Sequence, residues 1–430
     1  MVTAKNAEWL MKVVVGTLIG VVVHALPAAG GNGAHQEIPI LGWHGIQPDQ
    51  VSATRYAEAR DMGMTILMQW APDVPTARKY LDLAQANGLK LMIHMGALYD
   101  ESACEGVARA LKDHPALAMY HIVDEPKIPD FDKIGRVVRK MNAVDPDHEP
   151  YVNLINCVGR NPNYWYGGTD SYPEYIRQFL DKVPVKSVSF DKYPVIARDF
   201  FPKDAPLRTC PTGYCVKTNW YETLEACFHE AQARHLPLYA FAQSCAYRCQ
   251  DRWDFAEPQV AHMLLQQNVN LAYGAQLLQY YVYWQTPSHE AMPFSSKKPY
   301  LRTSVFDRVR EVNRRIQGRA HVFVGCEVKS VRHTGTEIPV ATTRLAKEDL
   351  PPFVKSLETP DGGAVVTRLA NGGREYLVVV NRSPESELTL RIDFAPGVKR
   401  VREDGTEVAA ALYTGEYWLE PGAMEVFAVK

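Results

Sequence analysis

This 430-residue chain lacks an excess of either charge: 47 Lys and Arg stand against 49 Asp and Glu, a net charge of −2. No global field therefore favours nucleic acid or an anionic membrane, and neither is expected as a partner. A Gly-rich phosphate loop after the first apolar run is also missing. That argues against a doubly wound dinucleotide-binding sheet. No H-x-H or H-E-x-x-H spacing occurs, so a metal-dependent hydrolase built on His44, His94 and Asp191 has no ligand pattern behind it. No metal and no cofactor are expected. Long hydrophobic runs are scarce. Only Val13–Val23 approaches one, and it is short for a bilayer span and interrupted by Gly16 and Gly20.

What stands around that run is informative. Lys5 and Lys12 precede it, and Val23-His24-Ala25 and Ala28-Ala29 offer small-residue cleavage sites. The pattern predicts a signal peptide over residues 1–29, a secreted or periplasmic protein, and no stable membrane insertion once the leader is removed. A retained one-span anchor is the lesser alternative. The 8 cysteines suit an oxidising compartment. Cys210 and Cys215 bracket Pro-Thr-Gly-Tyr, and Cys245 lies near Cys249, so 210–215 and 245–249 disulfides are expected. Zinc is the rival reading, but the spacings match no common zinc pattern and no His sits among them.

From Ile38 to about Phe323, short apolar runs alternate with amphipathic stretches. The runs are Ile38–Trp43, Thr65–Trp70, Leu89–His94, Leu117–Val123, Tyr151–Asn156, Val185–Phe190, Leu238–Ala242 and Ala275–Trp284. Each is followed by a helical pattern, the last over Ser304–Ile316. Eight such units in a row imply parallel strands with helical crossovers, closed into a (β/α)8 barrel over 36–323. Beyond it, runs such as Tyr376–Val380 and Leu388–Ile392 are separated by Asp361-Gly362-Gly363, Asn371-Gly372-Gly373 and Asp404-Gly405. This predicts a small antiparallel β-sandwich over 324–430. Asn381-Arg382-Ser383 matches a glycosylation sequon, but it follows a strand and is read as chance.

In such a barrel, chemistry gathers where strands end. The fourth strand ends in Asp124-Glu125-Pro126, two adjacent carboxylates closed by a proline. The sixth ends in Asp191-Lys192-Tyr193-Pro194, and Asp191 and Tyr193, two apart, face one side of an extended segment. The first delivers Trp43 and His44, the third His94, the fifth Asn153 and Asn156, the seventh Gln243 and the eighth Trp284. The bland alternatives are an acidic pair favoured by a helix N-terminus for Asp124 and Glu125, a surface Asp–Lys pair for Asp191, and rim packing for Trp284. With 8 Trp and 22 Tyr in the chain, the ring of polar groups and flat aromatic faces suits a polyol ligand.

The Asp124-Glu125-Pro126 terminus resembles the Asn-Glu-Pro or Asp-Glu-Pro signature on strand four of clan A glycoside hydrolases. Trp284 is similar to the tryptophan beneath the sugar in that clan. Asp191-Lys192-Tyr193-Pro194 looks like an Asp-x-Tyr-Pro segment of some barrel hydrolases, and Glu375–Asn381 resembles part of their accessory β-domain. The resemblance implies an enzyme that cleaves a glycosidic bond in an oligo- or polysaccharide. Glu125 would be its general acid, and Trp43, His44, His94, Asn153, Tyr193, Gln243 and Trp284 would bind the carbohydrate. One departure is plain: the clan carries its nucleophilic Glu at the end of strand seven, where this chain has Gln243, and an amide cannot serve. Three readings stay open. Asp191 is the second carboxylate, as nucleophile or as base for water; or Asp124 orients a substrate group in a substrate-assisted reaction; or the barrel binds glycan without cleaving it. Glu290 is a further carboxylate on the late loops.

Overall fold

The computed structural model describes residues 36–197, 214–249, 252–286, 289–411 and 415–429. The expected leader and Cys210 fall outside them. Eight parallel strands close into a barrel: β1 (Ile40–Gly42), β2 (Ile66–Trp70), β3 (Lys90–His94), β4 (Leu117–Asp124), β5 (Glu149–Leu154), β6 (Val188–Phe190), β7 (Leu238–Gln243) and β8 (Ala275–Tyr281). The helices that cover it are α1 (Ala53–Asp61), α2 (Val74–Ala86), α3 (Cys104–Leu111), α4 (Phe131–Val144), α5 (Tyr172–Lys182), α6 (Asn219–Ala233), α7 (Val260–Ala272) and α8 (Ser304–Gln317). Their starts are legible in local chemistry. Ser52, Asp73, Ser171 and Thr303 each accept a backbone N–H from the first turn of α1, α2, α5 and α8.

Strand alternation sorts the side chains. Leu41, Trp43, Met68, Met92, Tyr151, Tyr193, Tyr239, Phe241 and Leu277 fill the barrel lumen, while Ile40, Leu67, Ile93, Val152, Val188 and Leu278 pack outward against the helices. Gly42 permits a close approach here, because a Cβ on it would meet Tyr283 Cβ at 2.7 Å.

The second unit begins with β9 (Glu327–His333). It continues through β10 (Val354–Glu358), β11 (Ala364–Asn371), β12 (Arg374–Asn381), β13 (Leu388–Phe394), β14 (Lys399–Val401), β15 (Glu407–Ala409), β16 (Glu416–Leu419) and β17 (Met424–Ala428). A six-stranded antiparallel sheet, in the order β9-β11-β12-β17-β14-β15, faces a three-stranded one, β10-β13-β16. The unbroken apolar run of β12 has a direct cause. Leu377 and Val379 enter the sandwich core, while Tyr376, Val378 and Val380 join the cluster that continues into the barrel helices. Polar contacts fix the same junction: Arg315 of α8 pairs with Glu403 at 2.8 Å, and the buried Arg319 donates to Met424 O at 3.0 Å. Asn381 is fully buried and donates to the carbonyls of Ser386, Leu419 and Glu420, so the sequon is a structural amide.

The 245–249 disulfide is not formed. Cys245 is a buried free thiol, and its Sγ lies 3.5 Å from Tyr281 O. The strand Ala246–Cys249 follows it directly. At roughly 3.3 Å per extended residue its far end lies about 13 Å away, well beyond the Cα separation of a disulfide. The 210–215 pairing cannot be placed among the described residues.

Candidate active site

A cavity of about 340 Å³ opens at the C-terminal ends of the barrel strands. Asp124, Glu125, Asn153, Asp191, Tyr193, Trp43, Phe241, Tyr281, Tyr247, Phe255 and His289 line it. A bulge brings Asp124 in. β4 pairs with β5 at His121↔Tyr151 and again at Asp124↔Asn153, with a register shift between His121 and Val123. Tyr151 and Asn153 both point inward by alternation. The one extra residue on β4 therefore puts a carboxylate inside where strict alternation would put Val123. On β6 no bulge is needed: Ser189, Asp191 and Tyr193 follow one another on the inward face.

Glu125 turns out of the strand with φ +47°, a left-handed conformation that costs a non-glycine residue free energy. It is held there from both sides. Its N–H donates to Asn153 O at 2.9 Å, and the carbonyl of the following Pro126 accepts from the Tyr175 hydroxyl of α5 at 2.6 Å.

Asn153 joins the acidic groups. Its Nδ2 donates to Asp124 Oδ1 at 3.0 Å and reaches Asp191 Oδ1 at 3.3 Å. Ser189 Oγ donates to Asn153 Oδ1 at 3.0 Å, which fixes the orientation of the amide. Gln279 and Tyr151 in turn contact Ser189 at 3.0 and 2.7 Å. Asp124 and Asp191 thus share one amide nitrogen, which sets Asp191 on the same wall as the Asp124-Glu125 pair.

Asp124 and Glu125 stand exposed at the mouth, and Asp191 is half-buried beside them. Burial pushes the Glu125 carboxyl up to about 7, and the neighbouring Asp124 charge acts in the same direction against the hydrogen bond to Asp191. Asp191 rises well above the usual carboxylate range, through burial first and then the charges of Glu125 and Asp124. Burial also raises Asp124, against the hydrogen bonds from Asn153 and the Glu125 backbone. Raised carboxyls in a cleft are proton donors near neutral pH.

The other expected residues divide. Trp43, Asn153 and Tyr193 line the cavity with the three carboxylates. His94 and His121 face each other, Nδ1 to Nδ1, at 2.6 Å, and both are held below the usual histidine range by burial. His44 is exposed and packs edge-on against Tyr281. Neither His44 nor His94 reaches the cavity wall, and Asn156 accepts from Lys192 Nζ at 2.8 Å.

Gln243 and Trp284 are corrections. Gln243 is fully buried, tied to Val195 and Ala256 instead of facing the cavity. β8 stops at Tyr281, so Trp284 leaves the strand's inward alternation. It is fully buried against Phe294 and Tyr300, with the Arg55 guanidinium 5.0 Å from its ring. The aromatic face at the end of strand eight belongs to Tyr281. Asp191 lines the cavity with Asp124 and Glu125 and is joined to Asp124 through the Asn153 amide. Glu290 is exposed and outside the cavity.

Sequence reasoning missed Tyr247, Phe255 and His289. They arrive on a three-stranded sheet, Arg252–Phe255, Ala246–Cys249 and His289–Glu290, which folds together the loops after β7 and β8. The signal was present in the alternation of Tyr247 with its flanking residues, but nothing local shows which loop it pairs with. Among the described residues no group of three or more His, Cys, Asp and Glu side chains is arranged to hold a metal ion.

No protein-family profile matches the chain, and no curated protein sequence matches it. Solved structures do. A family 39 glycoside hydrolase from Bacteroides cellulosilyticus WH2 is 11% identical, over 92% of this chain and 81% of that one, with a TM-score of 0.50. A β-galactosidase from Marinomonas ef1 is 11% identical over 66% and 60%, at 0.44, and an endo-1,4-β-mannanase from Eisenia fetida 11% over 67% and 92%, at 0.41. At this identity the first likeness establishes a shared fold, extending over most of both chains.

Proposed function

We propose that the protein is a glycoside hydrolase in which Glu125 protonates the leaving glycosidic oxygen. The observation that carries this is Glu125 itself. It is a strained carboxyl at the end of β4 that lines one cavity with two further carboxyls and a surround of aromatic rings, and its pKa is pushed up to about 7. A general acid needs its pKa near the working pH. Rings such as Trp43, Tyr193 and Tyr281 offer apolar faces to a sugar, and Asn153 and the carboxyls offer hydroxyl partners. The leader-like run ahead of the barrel supports export, and so action on oligo- or polysaccharide outside the cytoplasm.

The test is turnover of a panel of aryl glycosides and oligosaccharides by the purified full chain and by Glu125→Gln. Hydrolysis by the wild type and loss in the variant are expected. Glycan binding measured by calorimetry without any turnover would replace the enzyme with a glycan-binding barrel, the reading that Gln243 at the end of β7 favours.

A further inference from the structure

We infer that the substrates of this site are β-linked 2-acetamido-2-deoxyhexosides, whose own amide oxygen attacks the anomeric carbon while Asp124 holds the amide N–H and Glu125 supplies the proton. The inference rests on the glycosidase reading above and adds the substrate class and the source of the nucleophile.

Hydrolysis by two carboxyls requires them to flank the scissile bond. Their separation is roughly 5–5.5 Å when one attacks the anomeric carbon and roughly 6.5–9.5 Å when a water stands between. Asp191 shares the Asn153 amide nitrogen with Asp124, at 3.3 and 3.0 Å, so it stands on the wall that carries the Asp124-Glu125 pair and not on the far side of a bound sugar. The remaining cavity wall comes from β1, β7, β8 and their loops. It carries Trp43, Phe241, Tyr281, Tyr247, Phe255 and His289, with no carboxylate among the described residues. The inward position at the end of β7 is an amide already engaged with backbone. A nucleophile from the protein is therefore missing where one is needed, and the sugar can bring it.

Two groups on the carbon next to the anomeric centre are candidates. A hydroxyl would have to lose its proton and close a strained three-membered ring. An acetamide reaches the anomeric carbon through a five-membered ring without prior deprotonation. It also fits the wall chemically. Asp124 has one oxygen on Asn153 and retains acceptor capacity for an N–H. The rings of Tyr193 and Tyr281, 5.2 Å apart, lie close enough to Asp124 for its charge to bear on both phenols. They offer an apolar seat for the methyl group and hydroxyl donors for the amide oxygen.

The steps balance. The amide oxygen forms a bond to C1 as the C1–O bond to the leaving group breaks, and the Glu125 proton passes to that leaving oxygen. The ring nitrogen gains positive charge, which strengthens its N–H hydrogen bond to the Asp124 carboxylate. Water then adds to C1, the C1–O bond to the amide oxygen breaks, and the water proton returns to Glu125. One water is consumed, and the configuration at C1 is retained.

The purified full chain is assayed on matched p-nitrophenyl β-glycosides of glucose, galactose, N-acetylglucosamine and N-acetylgalactosamine, and on N-trifluoroacetyl analogues. Expected are turnover of acetamido sugars only, slower turnover as fluorine weakens the amide oxygen, and a β-anomer as first product by NMR. A 2-methylthiazoline sugar should inhibit competitively. Asp124→Asn should lose roughly 10²-fold in kcat and bind the thiazoline more weakly. Turnover of the 2-hydroxy glycosides with none of the acetamido sugars would overturn the inference and leave the glycosidase reading standing. Azide rescue of Asp191→Ala would overturn it in the same way, by exposing a carboxylate nucleophile. No turnover and no thiazoline binding would remove both.

Discussion

The Gln243 side chain clasps the Val195 backbone: its Oε1 accepts from Val195 N–H and its Nε2 donates to Val195 O, both at 3.2 Å. The same Nε2 donates to Ala256 O at 3.0 Å. One amide thus ties together the segments that follow β6 and precede α7, which carry Tyr193 and Phe255 over the cavity. Gln243→Glu would place a carboxylate where clan A enzymes keep their nucleophile. Here it would leave two buried carbonyls without a donor and add a buried charge. Each unmet group costs about 1–3 kcal/mol. The variant is expected to lose about 2–6 kcal/mol in urea unfolding and to gain no activity. Raised turnover at unchanged stability would restore a protein nucleophile at β7.

Glu125→Gln is expected to lower kcat by roughly 10²–10⁴-fold, the range of a positioned general acid. It should also stabilise the fold at alkaline pH. The Glu125 carboxyl is raised from 4.5 to about 7, so the folded state binds a proton the unfolded chain has released across that interval. Wild-type stability therefore falls as pH rises from about 4.5 to 7. The glutamine escapes this loss. Its melting temperature should exceed the wild type's at pH 8 and match it at pH 4. A lower melting temperature at pH 8 would mean that the carboxylate is well solvated in the fold.

The barrel and sandwich were legible because their cause is local. Apolar runs at helix-length spacing specify strand–helix units, and Asp124, Glu125, Asp191 and Tyr193 stand at strand ends that any such reading locates. Alternation placed Asp191 and Tyr193 on one face. What failed needed three-dimensional information. Trp284 looked like the end of a strand because Val282-Tyr283 continues the apolar run, yet pairing stops at Tyr281. The bulge before Val123 has no sequence signature, and the Asp124–Asn153–Asp191 bridge depends on it. Cys245 and Cys249 are neighbours in sequence, but the extended strand between them carries them apart.

Asp124→Asn removes a charge that holds the Glu125 proton. The pH profile of kcat/KM should fall on its alkaline side with a midpoint near 7 in the wild type, because the acid must be protonated to act. In the variant the midpoint should move to lower pH. It should remain above 4.5, since burial, the larger cause of the shift, persists. An unmoved midpoint would show that another group titrates in the profile.

Tyr281 and Trp284 should separate cleanly by variant. Tyr281 stands in the cavity wall, half-buried, with His44 and Tyr193 packed against its ring. Tyr281→Ala should raise KM or weaken ligand binding about tenfold, equivalent to roughly 1.4 kcal/mol, with a modest change in stability. Trp284 touches no cavity space. It lies under Arg55, among Tyr283, Phe294 and Tyr300, and its removal would empty a large volume behind the mouth. Trp284→Ala should cost about 3–5 kcal/mol of stability, while the folded fraction binds ligand with little change. The milder Trp284→Phe keeps most of the packing and gives a folded protein for the comparison. If that variant folds as the wild type does but loses ligand affinity, and Tyr281→Ala does not, then Trp284 and not Tyr281 is the ring beneath the sugar.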